Sequence, residues 1–443
     1  MHVVSGPTRI RGRARRRPLR AAAGVAALLA ASALAGAGSV AAAPRSPAGG
    51  RPASVPGSVI TVTTVKVGDP GNPAVGVVPF TDALYRSCAD APASSGCLMV
   101  GGVSRPYEIG QLEVTVGQWV AFLNTADPAG TGSHGLYDET ESGTAWPKYG
   151  QIDRDMHAGR GRHYTVAYPQ WADKPYGFAN FLRAARFANS LYNGRLISKQ
   201  ATSSGGFDQV GYTVELSATT ERGMYDLARP ETTRTHGTGF VVPSQDEWIK
   251  AAYYDPNGGG TYSYWKYPTN PGTFGDGDAT APAPTVLDPA TGDVTNAATQ
   301  PLASYHASNL PAPTWCPGQV PAADCSTVNP LGLDPATYAA IYQGSLSTVG
   351  QARSTSPWGT LDQGGNAVEW TDTIAPPPVG QSSARVWRRL HGGISNAPAF
   401  QMWPSAVGLQ PQDNVFFDHV YPWLGIRIGV VGDLEPGGSH GGW

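Results

Sequence analysis

The four cysteines of this 443-residue sequence occur as two local pairs, Cys88 with Cys97 and Cys316 with Cys325. Each pair encloses a short loop rich in Pro, Ala, Ser or Gly. Neither pair has the C-x-x-C spacing that is typical of zinc sites. In an oxidising compartment the spacing predicts two loop-closing disulfides, and metal binding is the alternative.

The nine histidines are scattered and form no recognisable metal-binding spacing. His157 and His163 flank two arginines in a polar loop, and we interpret them as solvated loop residues rather than as ligands. The sequence has no G-x-S-x-G, H-E-x-x-H, Walker or dinucleotide-binding fingerprint. The common signatures of serine hydrolases, zinc proteases and nucleotide-binding enzymes are therefore missing.

Two glycine-rich segments carry the most information about function. The first runs from Gly364 to Trp370, shortly after Asp362, and the second from His391 to Asn396. Many aromatic residues lie near the second segment in the sequence: Trp387, Phe400, Trp403, Phe416, Phe417, Tyr421 and Trp423. They line a ligand site or form part of the core, and the sequence leaves both interpretations open.

The composition indicates a loop-rich globular protein. The chain has 56 Gly and 39 Pro, only 14% charged residues, and 41% hydrophobic residues with 12 Trp. This profile excludes long helical bundles and coiled coils, and the apolar content is sufficient for a core.

The N-terminal segment is typical of an export signal. An arginine-rich stretch precedes an apolar run over residues 21–43, and Val40–Ala42 offers a small-residue cleavage site. Arg16-Arg17 weakly resembles a twin-arginine signal, and a single membrane anchor is the alternative. Without the seven arginines of residues 1–42, 24 basic residues remain against 33 acidic ones, a net charge of −9. An acidic exported domain without a basic patch is a poor nucleic-acid binder.

The elements that must position the glycine-rich segments are predicted from capping and periodicity. Val59–Val67 is rich in β-branched residues and predicts the first strand. Thr115 with Gln118 and Ser244 with Glu247 are capping boxes that each predict the start of a helix. The side chains spaced for the buried faces are Val116, Trp119, Phe122 and Leu123 in one helix and Trp248, Ala251 and Ala252 in the other.

Three further segments complete the predicted organisation. A helix is predicted from Pro175 to Tyr192, because Pro suits a first turn and Gly194 suits a C-terminal cap. Residues 268–344 are rich in Pro, Thr and Ala and are predicted to be irregular. Leu424–Val431 is apolar and predicts a final strand. The predicted boundaries are an export signal (1–42), a disordered linker (43–58), one domain with long insertions near 130–170 and 270–345 (59–431), and a flexible Gly-rich tail (432–443).

Five blocks, in order, resemble the formylglycine-generating enzyme family, also called the sulfatase-modifying factor family. They are Tyr107–Gly110 through Thr115, Val242–Trp248 with Ala251-Ala252, Gly364–Trp370, Gly392-Gly393, and Gly425–Ile428. The resemblance spans roughly residues 100 to 431, with large insertions. It implies a C-type-lectin-like α+β fold with little regular secondary structure and much ordered loop.

The resemblance also implies calcium bound at the first glycine-rich segment. The family's ligands fall on Asp362, Gly365, Ala367 and Glu369, and calcium accepts six to eight oxygens from carboxylates and main-chain carbonyls. The alternative is that Asp362 and Glu369 cap the loop by accepting backbone hydrogen bonds. A second calcium site would include Asn296 and Ala297, but its carboxylate position falls on Gly350, so an intact second site is not expected.

The family's copper chemistry depends on two cysteines that this sequence lacks. Their positions, counted from Gly392-Gly393, fall on Ala397 and Met402. Copper(I) requires soft thiolate ligands, which Ala397 cannot supply and for which a single thioether is a weak substitute. Copper is therefore not expected. The candidates for ligand contacts in the family's groove are His391, Ser395, Asn396 and Trp403, whereas Arg427 is expected to form a buried structural pair.

The sequence thus predicts an exported, monomeric, calcium-stabilised binding or interaction module for a protein, peptide or small-molecule ligand. A divergent formylglycine-generating oxidase or other protein-modifying enzyme is one alternative. A cell-surface adhesion domain is another. No catalytic residue is assigned.

Overall fold

The computed structural model describes residues 57–78, 96–143, 150–258, 263–273, 281–288, 291, 293–305, 346–378, 380–395, 397, 399–413 and 423–437. Contacts divide the chain into Met1–Ala53 and Ser54–Trp443, and the description below concerns the second unit. The predicted export signal and all but the last two residues of the predicted linker lie outside the described residues. Within the described ranges, no helix is long and apolar enough to cross a membrane.

Runs of short strands are separated by a few helices along the described chain, as expected for an α+β fold. The strands are β1 Val59–Val67, β2 Val75–Val77, β3 Leu98–Val100, β4 Tyr107–Gly110, β5 Ile152–Arg154, β6 Tyr164–Val166, β7 Arg195–Ser204, β8 Phe207–Glu215, β9 Gly239–Val241, β10 Trp265–Tyr267, β11 Asn270–Thr273, β12 Ala283–Pro284, β13 Leu302–Ala303, β14 Val368–Ala375, β15 Trp387–His391, β16 Gly408–Pro411, β17 Leu424–Gly425 and β18 Gly429–Val431. The α-helices are α1 Val116–Ala126, α2 Phe181–Tyr192 and α3 Gln245–Tyr253, and 3-10 turns occupy Ser133–Gly135, Glu139–Glu141, Pro169–Trp171 and Ala399–Met402.

A six-stranded antiparallel sheet forms the centre of the described unit, in the order β7-β8-β1-β4-β18-β9. β1 has the predicted bounds, and its side chains alternate between the core and the surface over Val59–Val62, because successive residues of a strand point to opposite faces. Thr64 and Val65 are both buried, since this strand lies inside the sheet. The long β7–β8 hairpin extends from one edge, with Ser204 opposite Phe207 at its tip.

A second, four-stranded sheet carries the two glycine-rich segments. Its order is β16-β15-β14-β17, in which β14 pairs antiparallel with β15 and parallel with β17. The first segment leads directly into β14, and the second begins at His391, the last residue of β15. Glu369 lies opposite His391 in the register, so both segments meet at the same end of this sheet.

The two capping boxes predicted from the sequence are confirmed at the starts of α1 and α3. In each, the Thr115 or Ser244 hydroxyl accepts from the third residue's N–H, and Gln118 or Glu247 reaches back to the cap. All seven side chains predicted for the buried faces of these helices are fully buried.

The predicted start of α2 is wrong by six residues. The helix begins at Phe181, where the Asn180 side chain accepts a hydrogen bond from the Arg183 N–H at 2.8 Å. The chain before it is extended, since Pro175 bridges to Thr115 and Phe178 bridges to Leu424. The N-cap Asn180 therefore outweighs the proline, which is tolerated in a first turn but does not require one.

The single final strand predicted from Leu424 to Val431 is two strands in different sheets. β17 belongs to the four-stranded sheet and β18 to the six-stranded sheet, and residues 426–428 cross between them. The packed chain also extends past the predicted boundary at Val431, because Leu434 is buried in the core. Within the segment predicted to be irregular, the structure describes the short strands β11, β12 and β13.

Candidate functional site

Glu369 and Arg427 form the centre of the candidate site, and both side chains are fully buried. The Arg427 guanidinium donates from Nε to both carboxylate oxygens at 2.9 and 3.0 Å and from Nη2 to Oε1 at 2.7 Å. Trp248 donates its indole N–H to Oε2 of the same carboxylate at 2.6 Å. Burial lowers the pKa of Arg427, but the Glu369 charge outweighs it and the net pKa is raised. The sequence-based prediction that Arg427 makes a buried pair is confirmed.

The remaining Arg427 donors are satisfied by the main chain. Nη1 donates to the carbonyls of Gly110 at 2.9 Å and Gln111 at 3.0 Å, and Nη2 donates to the carbonyl of Leu361 at 3.0 Å. All five N–H groups of the guanidinium are thus used, as the desolvation cost of a buried charge requires.

Two further carboxylates lie beside this pair. Glu113 accepts from the Ala367 N–H at 3.0 Å and from the Asn366 side-chain amide at 2.7 Å. Burial, reinforced by the charges of Asp362 and Glu369, raises the pKa of Glu113 well above its usual value. Burial also raises the pKa of Asp362 to about 6. Three acidic groups therefore surround one guanidinium in a desolvated region.

The backbone of the first glycine-rich segment is fixed by hydrogen bonds to distant loops. Gly365 has a φ of +85°, and a Cβ at this residue would lie 2.1 Å from the carbonyl oxygen of Ser304. Its N–H donates to the Gly392 carbonyl at 2.6 Å, which joins the two glycine-rich segments. The Asn366 N–H donates to the Ser304 carbonyl at 2.7 Å. Only glycine adopts this conformation without a clash at residue 365.

The four residues predicted to bind calcium fit that ion in part. Asp362 Oδ2 accepts from the Gly350 N–H, but Oδ1 is buried and has no hydrogen-bond partner among the described residues. A buried carboxylate oxygen that accepts no hydrogen bond is available as a ligand for calcium. The Glu369 oxygens, in contrast, are both taken by Arg427 and Trp248. Among the described residues, no three His, Cys, Asp or Glu side chains are grouped to hold a metal, so main-chain oxygens would supply the other ligands.

At the second predicted calcium site, the side-chain oxygen of Asn296 already accepts a hydrogen bond from the main chain. The Asn296 side chain accepts from the Val286 N–H at 2.8 Å and donates to the Pro284 carbonyl at 3.2 Å. The Ala297 carbonyl accepts from Gln300 Nε2 at 3.0 Å. Gly350, the expected carboxylate position, instead donates its N–H to Asp362. This arrangement stabilises the loop, and the second site remains a doubtful prediction.

The two positions predicted to correspond to the family's copper cysteines, Ala397 and Met402, are both buried. Ala397 offers no donor atom, and its N–H donates to the Ile394 carbonyl at 3.0 Å. Met402 packs in an apolar cluster with Tyr267 and Ala303, and its carbonyl accepts from the Tyr253 hydroxyl at 2.7 Å. A lone buried thioether does not provide the soft thiolate pair that copper(I) requires, so the residues present do not fit copper.

The predicted ligand-groove residues differ in accessibility. His391 is buried and stacked on Trp248, and neither ring nitrogen has a hydrogen-bond partner among the described residues. Burial, with the nearby Arg389 charge, lowers the pKa of His391 to about 3, so the imidazole is neutral. Ser395 is also buried, and Asn396 lies outside the described residues. Trp403 is half-buried, with Lys266 Nζ 5.3 Å from its ring centroid.

Other sequence-based predictions concern residues around this site. Trp387 and Trp423 are buried, which favours the core interpretation for these two aromatics. Cys97 is disulfide-bonded, but Cys88, Cys316 and Cys325 lie outside the described residues, so both pairings remain predictions. Glu113 was not predicted as a site residue, and its position in a block of the family resemblance was the one signal that could have indicated it.

The chain is similar to known proteins over much of its length. The family model of the sulfatase-modifying factor enzyme 1-like domain matches residues 101–402. Among solved structures, variable protein 1 of Treponema denticola has a TM-score of 0.39 and 15% identity, covering 84% of this chain and 99% of its own. PvdO of Pseudomonas aeruginosa has a TM-score of 0.34 and 12% identity, covering 86% and 100%. Likenesses this distant carry no argument about function, and no curated protein matches the chain.

The family match spans well over half of the chain and includes the loop before β14, the Gly392 turn and the buried positions at residues 397 and 402. The α+β architecture, with its small sheets and long ordered loops, is the one that the resemblance implied. The chain belongs to the sulfatase-modifying factor enzyme 1-like domain family and has its C-type-lectin-like formylglycine-generating-enzyme fold.

Proposed function

We propose that this protein is an exported binding or interaction module that keeps the family's fold without its copper oxidase chemistry. The observation that carries the proposal is the side-chain chemistry at Ala397 and Met402. One position has no donor atom, and the thioether of the other is enclosed by Tyr267 and Ala303. Oxidation of a substrate cysteine at such a site would lack the thiolates that hold copper(I) in the family.

The proposal includes calcium as a stabilising ion at the loop before β14. It is supported by the orphaned Asp362 Oδ1 and by the grouping of three carboxylates around a single guanidinium. An ion there would neutralise buried charge and hold the loop, which is what calcium supplies in structural sites. Glu369 does not contribute a free oxygen in this arrangement, so the proposed site depends on Asp362 and main-chain carbonyls.

Export is the part of the proposal that concerns location. It is supported by the arginine-rich start, the apolar run and the small-residue cleavage site of residues 1–42. An oxidising compartment would also be required for the two predicted disulfides.

An oxidation assay tests the proposed function directly. The chain from Ala43 onward is loaded with copper and incubated with a cysteine peptide of the sulfatase-motif type. Mass spectrometry then measures loss of the thiol and gain of an aldehyde, and metal analysis measures retained copper. We expect neither a product nor stoichiometric copper.

A matched variant shows whether the missing thiols are the reason. Ala397→Cys with Met402→Cys restores both donors at the family's positions, and we expect it to retain copper where the natural chain does not. Aldehyde formation by the natural chain would overturn the binding-module proposal and favour a divergent oxidase that uses other ligands.

A further inference from the structure

A cleft of about 790 Å³ lies where β1 ends and β4 begins. Its walls are the tip of the β7–β8 hairpin, the Pro357-Trp358 turn, the Pro256-Asn257 loop after α3, and Gly432-Asp433 after β18. None of the residues discussed in the candidate functional site lines it. Its volume lies within the range of small-ligand sites, about 300–1,000 Å³.

Two aromatic side chains in the cleft pack closely against glycines. The Phe207 ring packs on Gly359, where an added Cβ would lie 2.4 Å from Phe207 Cγ. The Trp358 ring similarly contacts Gly68, at 3.6 Å from a Cβ built there. Both aromatic residues are half-buried, so part of each remains exposed. The exposed part of each ring offers apolar surface and a π face to a ligand.

Main-chain hydrogen bonds close the turn that carries Trp358. Gly359 N–H donates to the Ser356 carbonyl at 3.0 Å, and Ser356 N–H donates to the Thr360 carbonyl at 2.9 Å. Gly359 has a φ of +88°, which favours glycine at this residue. The conformation of this turn therefore places Trp358 at the wall of the cleft.

The cleft carries an excess of negative charge. Glu108, Asp208 and Asp433 line it, against one basic residue, Lys66. Lys199 pairs with Asp433 and with Glu435 beside the cleft. Lys199 and Glu435 add one charge of each sign, so the excess of two negative charges is unchanged. Glu108 is fixed by the hydroxyls of Thr64 and Tyr212, which donate to its Oε2 at 2.5 and 3.0 Å.

Because aromatic rings and an excess of carboxylates line this cleft, we infer that it binds a lysine or arginine side chain of an extended basic peptide. A guanidinium or ammonium group is attracted both to the faces of aromatic rings and to carboxylates. Asp208 is exposed at the hairpin tip, where it is available to pair with the incoming charge. The inference rests on the proposed binding function and adds to it a place and a ligand class.

Isothermal titration of the chain from Ala43 onward tests this inference, because the seven arginines of residues 1–42 would themselves bind an acidic peptide. Hexa-arginine and hexa-lysine are the probes, and hexaglutamate and a neutral Gly-Ser peptide are the comparison peptides. We expect saturable binding of the basic peptides alone, weakened when NaCl rises from about 50 to about 500 mM because screening shortens the range of the charges. Binding of hexaglutamate, or of the neutral peptide with equal affinity, would overturn the inference.

Two substitutions place the binding in the cleft. Asp208→Asn removes one exposed charge, and we expect a loss of about two- to fivefold in affinity, which is the scale of an exposed ion pair. Phe207→Leu should weaken binding through loss of the ring, with folding checked by circular dichroism. Glu231→Gln is the matched control, because Glu231 is an exposed acid that does not line the cleft.

The outcomes separate this inference from the proposed function. Equal affinities for the Asp208→Asn and Glu231→Gln proteins would show that basic peptides bind elsewhere, and no binding of either probe would remove the ligand class. Both results leave the binding-module proposal standing. Oxidation of a cysteine peptide by the natural chain would remove that proposal without affecting the titration.

Discussion

Arg427 and Glu369 are joined by a buried ion pair that also connects the two main sheets. Glu369 lies on β14 of the four-stranded sheet, and Arg427 also donates to the carbonyl of Gly110 on β4 of the six-stranded sheet. Arg427 lies at the point where the chain crosses from β17 to β18. One side chain therefore links the two sheets at the candidate site.

Removal of the guanidinium should be strongly destabilising. Arg427→Met leaves Glu369 buried without its partner, and we expect the free energy of unfolding to fall by about 3–5 kcal/mol in urea denaturation. The control is Arg195→Met, which breaks the exposed pair with Glu215 and should cost about 1 kcal/mol or less. Similar losses in the two variants would contradict the role assigned to Arg427.

Calcium dependence is tested by melting temperature with and without a chelator. If Asp362 holds the ion, excess calcium should stabilise the protein by at least about 1 kcal/mol relative to EDTA, through binding to the folded state alone. Asp362→Asn should abolish this difference. Glu369→Gln should destabilise the protein in both conditions, because its main partner is Arg427. Identical melting of the natural chain in both conditions would remove calcium from the proposal.

Gly365 should tolerate no side chain. Gly365→Ala would add left-handed strain and a 2.1 Å approach to the Ser304 carbonyl, and we expect a loss greater than about 2 kcal/mol by chemical denaturation. Gly71→Ala is the matched control, since Gly71 has nearly the same φ of +83° but nothing within 4 Å of the added Cβ. It should lose only about 1 kcal/mol. Equal losses of unfolding free energy in the two variants would mean that the loop before β14 shifts to accommodate the added methyl group.

Stability should rise with pH in the alkaline range because of one buried lysine. Lys174 Nζ donates to the Leu346 carbonyl at 2.8 Å, and burial lowers the pKa of Lys174 to about 7. In the unfolded chain this amine keeps its usual pKa of about 10.4. Between these values the unfolded state binds more protons, so the free energy of unfolding increases with pH by up to about 1.4 kcal/mol per unit.

Lys174→Met removes this titration and identifies its source. Its free energy of unfolding, measured in urea at several pH values from 7 to 10, should show a smaller rise with pH than that of the natural chain. The comparison is Lys199→Met, which removes the ion pair between Lys199 and Asp433 at the surface. An unchanged pH dependence in the Lys174 variant would contradict the assignment.

Local chemistry made part of the fold predictable from the sequence. The caps at Thr115 and Ser244 and the β-branched run of β1 depend on residues within a few positions of each other, and all three predicted elements are confirmed. The start of α2 was wrong because Asn180 caps the helix later than Pro175 suggested. The terminal apolar run was assigned to one strand because hydrophobicity does not show which sheet each half joins.

The candidate site was predictable only in pieces. The pairing of Arg427 was expected, and the loop at Gly365 was identified through the family resemblance. The approach of Glu113 to Ala367 joins residues 254 positions apart, a relation that no local pattern contains. The burial of His391 and the use of the Glu369 oxygens by Arg427 likewise depend on tertiary packing.

The position of β18 also has a consequence for how this domain is made. This strand lies between β4 and β9, so the central sheet lacks an inner member until residue 431 has emerged from the ribosome. A nascent chain shorter than this would expose the edges of β4 and β9 as templates for wrong pairing. Synthesis and folding are therefore separated in time. A chain held unfolded until translation is finished, as during passage through a translocation channel, loses nothing by the delay.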